Sequence, residues 1–195
     1  MPRFIERKRL PEYLDGVLRA TGISPSGQIV ELGSGICWAS ACLARHQGVT
    51  KVAAIEFSRR RLEALAPIAI AHLGAPPEKI ERVVADFHNP GLPPGCADLV
   101  VTDAAFHHSA DPERLASTCF SLLRPHGRVL LMREPTLSLL RRTRDHGIED
   151  LHGDFEREYR RGEYEGLLAG AGFRAVQSVG APGDLGTRRG RGGAR

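Results

Sequence analysis

The sequence predicts an α/β fold, a doubly wound and mainly parallel sheet with helices on both faces, three layers in all. Three observations predict it. Short apolar runs alternate with helical segments from residue 26 to residue 132, and such a repeat closes as a parallel sheet with right-handed crossovers. The first apolar run, 29–32, leads straight into two glycines one residue apart, Gly33 and Gly35, with a helical stretch starting near Trp38. Later apolar runs end at Glu56, Asp86 and Asp103, and open sheets of this kind bind ligands at the carboxyl ends of their strands.

Each element follows from local chemistry. Leu10, Tyr13, Leu14, Val17 and Leu18 recur at helical spacing, so residues 11–20 form an amphipathic helix ahead of the sheet. Pro25, Ser26 and Gly27 turn the chain into strand one, 29–32, and residues 39–45 form the first crossover helix. Strand two, 52–55, ends at Glu56; Ser58 then caps a helix reaching Leu73, with Leu62, Leu65, Ile68 and Leu73 facing inward and Pro67 bending it. The 74–77 break precedes strand three, 82–85, which ends at Asp86 and Phe87. A proline- and glycine-rich loop, 89–95, leads to strand four, 98–102, followed by Asp103 and the His107–His108 pair. Asp111 and Pro112 start a helix with Leu115, Cys119, Leu122 and Leu123 on one face. Residues 125–127 turn into strand five, 129–132. Beyond it, 137–144 and 155–169 read as helices joined by 146–153, and 173–179 as a sixth strand introduced by Gly170 and Gly172.

The chain has 195 residues, 42% hydrophobic and 26% charged, enough for one packed domain and short for two. We expect a single domain over 1–180, comprising the N-terminal helix 11–20, a core over 26–134 and an insertion over 135–172. No apolar run approaches a membrane span and residues 1–9 lack the apolar core of a signal peptide, so a cytoplasmic location and no membrane partner are expected. Cys37, Cys42, Cys96 and Cys119 are scattered, which suits reduced thiols rather than a disulfide set or a zinc site, and no metal is expected. The net charge is +4, but residues 181–195 hold four arginines against one aspartate, +3 of that total. The body is therefore nearly neutral, nucleic acid is not an expected partner, and the basic tail is expected to be disordered.

The glycine turn discriminates between ligands. A dinucleotide fingerprint, G-x-G-x-x-G, needs a small third residue where Trp38 stands. Glu31, two residues before Gly33, would repel a pyrophosphate and attract an ammonium group. The turn thus suits a ligand that is cationic at this end and lacks phosphates, as S-adenosylmethionine is. Glu56, 21 residues after Gly35, is placed to accept hydrogen bonds from ribose hydroxyls.

Glu31-x-Gly33-x-Gly35 resembles motif I of the class I S-adenosylmethionine-dependent methyltransferases, (D/E)-x-G-x-G-x-G, with Cys37 in place of the third glycine. Residues 97–108, Asp111-Pro112 and 122–131 resemble the small-molecule and quinone-biosynthesis members. Those run as a buried strand, a His-containing loop, a helix and L-(K/R)-P-G-G, and here His126 replaces the first glycine of that last turn. The resemblance covers residues 26–179. It implies a Rossmann-like fold, S-adenosylmethionine as cofactor, and cofactor contacts from Glu31, Gly33, Ser34, Gly35, Glu56, Asp86, Phe87 and Asp103, with Asp86 at the adenine amino group. The family fold normally closes with a seventh, antiparallel strand; residues 181–195 have Leu185 as their only large apolar side chain, so that strand is expected to be missing.

Methyl transfer is an in-line displacement at an already activated carbon, so positioning dominates and a base matters only where the acceptor must lose a proton. His108, with His107 after it, is the sequence's candidate for that base; Glu134 is a further one, and His146 and His152 lie in the acceptor-side insertion. The polar, arginine-rich insertion favours a polar or anionic small molecule as acceptor. The stretch Asp103-Ala104-Ala105-Phe106 lacks the paired prolines of nucleic-acid amino-methyltransferases, and no Asp-Asn pair follows to complete a catechol-type metal site around Asp103. An S-adenosylmethionine-binding module without turnover is the alternative, and a nicotinamide oxidoreductase stands behind it.

Overall fold

A computed structural model describes residues 2–137 and 156–180. Helices α1 (Pro2–Arg7) and α2 (Leu10–Thr21) precede the sheet; β1 (Gly27–Leu32), α3 (Trp38–Ala44) and β2 (Val49–Glu56) follow, then α4 (Ala66–His72), β3 (Ile80–Val84), β4 (Ala97–Asp103), α5 (Pro112–Leu122), β5 (Leu123–Met132) and α6 (Arg161–Gly170). The sheet runs β3-β2-β1-β4-β5 and every pairing is parallel. Chain order reverses between β1 and β4, which opens a crevice at the carboxyl ends of those two strands.

Alternate side chains divide the core between the sheet's faces. Ile29, Val52, Ala54, Leu99 and Val101 pack against α2, α3 and α4, whereas Val30, Leu32, Ala53, Ile55 and Val100 pack against α5, Tyr159 and Tyr164. The α/β/α layering expected from the sequence is the one observed. All seven residues of α3 are buried, which small side chains at Ala39, Ser40, Ala41 and Ala44 permit. Among the described residues no helix is long and apolar enough to cross a membrane.

Several expectations need correction. The helix after Ser58 passes through a π-turn at Arg61–Leu65 before α4, where Pro67 has no N–H to continue the regular ladder. The extra residue shifts the helical phase, so Ala66, Ala69 and Ile70 are buried while Ile68 is half exposed instead of facing inward. Residues 173–180 form no strand. The alternation of Phe173, Ala175 and Val179 with polar residues is broken at Val176 and Gln177, so neither face is apolar throughout; Phe173 packs edge-on to Phe120 instead, 5.2 Å between ring centroids. The helix read over 155–169 starts only at Arg161, and Tyr159 before it forms a parallel bridge to Thr136. The helix read over 137–144, the 146–153 connection and the 181–195 tail lie outside the described residues.

Candidate active site

The glycine turn sits at the crevice where strand order reverses. Gly33 (φ +73°) and Gly35 (φ +55°) both take the left-handed backbone that glycine adopts without penalty. The N–H groups of Gly33 and Ser34 donate to the Ile55 carbonyl at 2.9 and 2.8 Å, tying the turn to β2. A Cβ on Gly33 would lie 2.6 Å from the Ala105 Cβ, whereas one on Gly35 would meet nothing within 4 Å among the described residues, so the more open side of the turn is at Gly35. Cys37, in the position of the family's third glycine, keeps a glycine-like φ of +60° although its side chain is fully buried.

Glu31 lies beneath this turn and is 1% exposed. Its Oε2 accepts the Ser40 N–H at 2.8 Å and the Ser40 hydroxyl. Ser40 is the third residue of α3, whose N-cap Cys37 supplies no side-chain bond, so Glu31 caps the helix from below. Its other oxygen, Oε1, is buried without a hydrogen-bond partner among the described residues. Burial pushes the Glu31 carboxyl up to about 8, and the negative charges of Asp103 and Glu56 add to the effect, against the Ser40 hydrogen bonds.

Glu56, 3% exposed, spans the gap between the turn and its own strand. Oε2 accepts the Gly35 N–H at 2.9 Å; Oε1 accepts the Ser58 N–H at 3.0 Å and faces Arg61 at 3.4 Å. Phe57 beside it is 62% exposed, with the Arg61 guanidinium 5.9 Å from its ring centre. Asp86, by contrast, is largely exposed and closes a tight turn, its Oδ1 accepting the His88 N–H at 2.8 Å and meeting His88 Nδ1 at 3.0 Å. The Phe87 ring lies 3.8 Å from where a Gly33 Cβ would stand, so it borders the glycine turn.

At the end of β4 both oxygens of Asp103 are engaged. Oδ2 accepts the Trp38 indole N–H at 2.7 Å, and Arg133 Nε donates to Oδ1 at 2.7 Å while its Nη2 donates to Oδ2. The Arg133 guanidinium also lies 5.3 Å from the Trp38 ring centre. Burial raises the Asp103 carboxyl, and the Asp103 hydrogen bond holds Arg133 still more firmly protonated than usual.

Glu134 does not face solvent. Its Oε1 accepts the N–H groups of Ala105 (3.1 Å) and Phe106 (3.0 Å), and its Oε2 those of His107 (3.2 Å) and the His107 ring Nδ1 (2.7 Å). One carboxylate thus fixes the whole loop that carries the two histidines. The His107 and His108 rings lie 4.1 Å apart between centroids. Arg157 N–H donates to the His107 carbonyl at 3.0 Å, and this contact brings Glu156 to the pair: ligand-capable atoms of His107, His108 and Glu156 all lie within 4.8 Å of one another.

The structure therefore gathers Glu31, Gly33, Ser34, Gly35, Glu56, Phe87 and Asp103 around the crevice, and His107 and His108 beside it, with Asp86 on the outer rim. His146 and His152 fall outside the described residues. Sequence reasoning missed Arg133, Phe57 and Glu156. An aromatic directly after a strand-end acid could have flagged Phe57; the other two carry no local signal, since their partners are distant in the chain.

The profile of the methyltransferase domain family matches residues 30–131, the segment from β1 through β5. No curated protein sequence matches the chain. Solved structures resemble it in fold. The protein solved in complex with the Trm112 methyltransferase activator from Haloferax volcanii is 17% identical, with 90% of this chain and 73% of that one covered and a TM-score of 0.71. An S-adenosylmethionine-dependent methyltransferase from Mesorhizobium loti is 22% identical over 83% of this chain and 81% of its own, with a TM-score of 0.63. Human N-acetylserotonin methyltransferase, solved in complex with S-adenosylmethionine, is 24% identical over 84% of this chain and 46% of its own, with a TM-score of 0.59.

Proposed function

The chain belongs to the methyltransferase domain family, of the class I S-adenosylmethionine-dependent type, and from that premise we propose that it transfers a methyl group to a small polar molecule. The observation that supports the reading most directly is the unpartnered Oε1 of Glu31, a buried carboxylate oxygen beneath the glycine turn with the charges of Glu56 and Asp103 close by. Glu31, which would give up its proton to a cation, and Glu56 set carboxyl groups at one turn, and that suits a cation and disfavours a pyrophosphate. The residues present thus fit S-adenosylmethionine, the family's cofactor, which supplies a methyl group on a sulfonium.

In this reading Glu31 holds the ammonium end, with Gly35 leaving room for the backbone approach. Glu56 accepts from the ribose hydroxyls through lone pairs that its backbone partners leave unused. Phe57 and Phe87 offer faces for the base, with Asp86 at its edge. Asp103 acts through its charge and by fixing Trp38 and Arg133 as one wall. Residues 1–180 work as one domain, with α2 and, of the described residues, 135–137 and 156–172 bordering the acceptor. His107 and His108, set by Glu134, handle the proton that a hydroxyl acceptor must lose.

Calorimetry with S-adenosylhomocysteine tests the cofactor assignment. Glu56→Ala should weaken binding by roughly 100-fold, the loss of two hydrogen bonds to a charged acceptor; unchanged affinity would refute the ribose role. A screen with radiolabelled methyl donor over cell metabolites then identifies the acceptor. Tight binding with no labelled product on any of them would favour a non-catalytic binding module.

A further inference from the structure

We propose that His107, His108 and Glu156 form a binding site for a divalent transition-metal cation of the zinc class, on the acceptor side of the crevice. The three side chains reach one point from two segments, the turn after β4 and the strand-like stretch before α6. Their candidate ligand atoms lie within 4.8 Å of one another. The main chain holds these segments together: Arg157 N–H donates to the His107 carbonyl at 3.0 Å, Leu137 N–H to the Tyr159 carbonyl at 3.0 Å, and Thr136 bridges to Tyr159.

The second observation is the role of Glu134. Its carboxylate takes the His107 Nδ1 at 2.7 Å, so Nε2 is the His107 ring nitrogen that would ligate the cation. Metal-ligating histidines almost always donate their other ring nitrogen to such a carboxylate, which fixes the tautomer and raises ligand basicity. Glu134 is itself immobilised by three backbone N–H groups and is 6% exposed. A bare surface ion pair needs no support of that kind. Ligand bonds of about 2.0–2.2 Å put neighbouring donors roughly 3.3 Å apart in a tetrahedral site, so the site must tighten by at most about 1.5 Å. Rotation of Glu156, which is exposed, can supply that.

Two imidazoles select against magnesium and calcium, which prefer all-oxygen sites, and favour zinc, iron(II), cobalt or nickel. Three protein ligands leave a fourth position open, the pattern of catalytic rather than structural sites. If the methyl-transfer reading holds, an acceptor oxygen bound at that position would lose its proton more readily, so the two histidines would serve as ligands instead of a free base. The acceptor class narrows accordingly to molecules bearing a hydroxyl or enol oxygen.

The test uses the full chain, stripped with chelator and titrated with cobalt(II). A single equivalent should bind with the strong visible bands of a four- or five-coordinate site and be displaced by zinc. His107→Ala and His108→Ala should abolish those bands. Glu156→Gln, at an exposed position where folding is not at stake, should weaken cobalt binding at least tenfold, and His72→Ala, on α4, should leave it unchanged. Cobalt that remains octahedral and weakly absorbing overturns the proposal, as does wild-type binding in the His108 and Glu156 variants. S-adenosylhomocysteine calorimetry on the metal-free chain separates the two readings. Cofactor binding without a cobalt site sinks the metal alone, and a cobalt site without cofactor binding sinks the cofactor reading alone.

Discussion

Replacing Glu31 with glutamine should flatten the dependence of folding stability on pH and make the two stability curves cross. The folded-state value of Glu31 is raised from 4.5 to about 8, so the folded chain holds this proton more tightly than the unfolded one. Its contribution is fully present below pH 4.5 and is lost as pH rises through 8. At 1.36 kcal/mol per pH unit the loss across that window is at most about 5 kcal/mol. Glutamine cannot ionise. Its carbonyl can still accept from Ser40, while its amide nitrogen takes the place of the unpartnered Oε1 and costs roughly 1–3 kcal/mol at every pH. The variant should therefore be less stable than wild type near pH 5 and more stable near pH 8. Urea denaturation from pH 5 to 8.5, with slopes compared to confirm the same unfolded state, reads this directly. Other titrating groups are common to both chains and cancel in the difference. Parallel curves would refute the argument, because they would mean that Glu31 is already ionised in the folded chain. The same linkage reaches the ligand: below pH 8, S-adenosylhomocysteine binding should release a proton in wild type, seen as a buffer-dependent enthalpy, and release none from position 31 in the variant.

Three further outcomes follow from the geometry. Gly33→Ala should destabilise by about 2 kcal/mol or more, since a Cβ would lie 2.6 Å from the Ala105 Cβ at a left-handed φ; a thermal melt within a degree of wild type would contradict this. Glu134→Ala should cost about 2–5 kcal/mol by orphaning the N–H groups of residues 105–107, with faster amide exchange confined to that loop. Asp103→Asn should change the emission of Trp38, the chain's single tryptophan, and labilise Arg133; an unaltered spectrum would mean that the indole does not bond to Asp103 in solution.

What could be read from the sequence was local. The glycine turn, the strand-end acids and the proline-started α5 announce themselves within a few residues, because turn conformation and helix entry are decided by neighbours. The burial of Glu134 was not readable: a glutamate just past a strand has every reason to face water until Ala105, Phe106 and His107 present their N–H groups to it from 27–29 positions away. The pairing of Arg133 with Asp103 is hidden for the same reason. The sixth strand failed for a different one: in 173–179 the alternation is interrupted at Val176 and Gln177, which leaves neither face of a pleated surface apolar throughout. Ile68 was misplaced because the π-turn before Pro67 slips the helical count by one, which periodicity alone does not register.

The adjoining strands β4 and β5 each stop on a non-glycine residue in the left-handed region, Ala104 at φ +48° and Arg133 at φ +51°, immediately past their last paired residues, Asp103 and Met132. This double kink turns both chains at the same height. It sends Arg133 back towards the neighbouring strand and Glu134 forward under the following loop. Because three of that loop's amides and the His107 ring all meet the one Glu134 carboxylate, a single side chain serves as the loop's socket. A change at Glu134 would therefore disturb residues 105–107 together, whereas a change at residue 108 alone would leave the socket's four bonds in place.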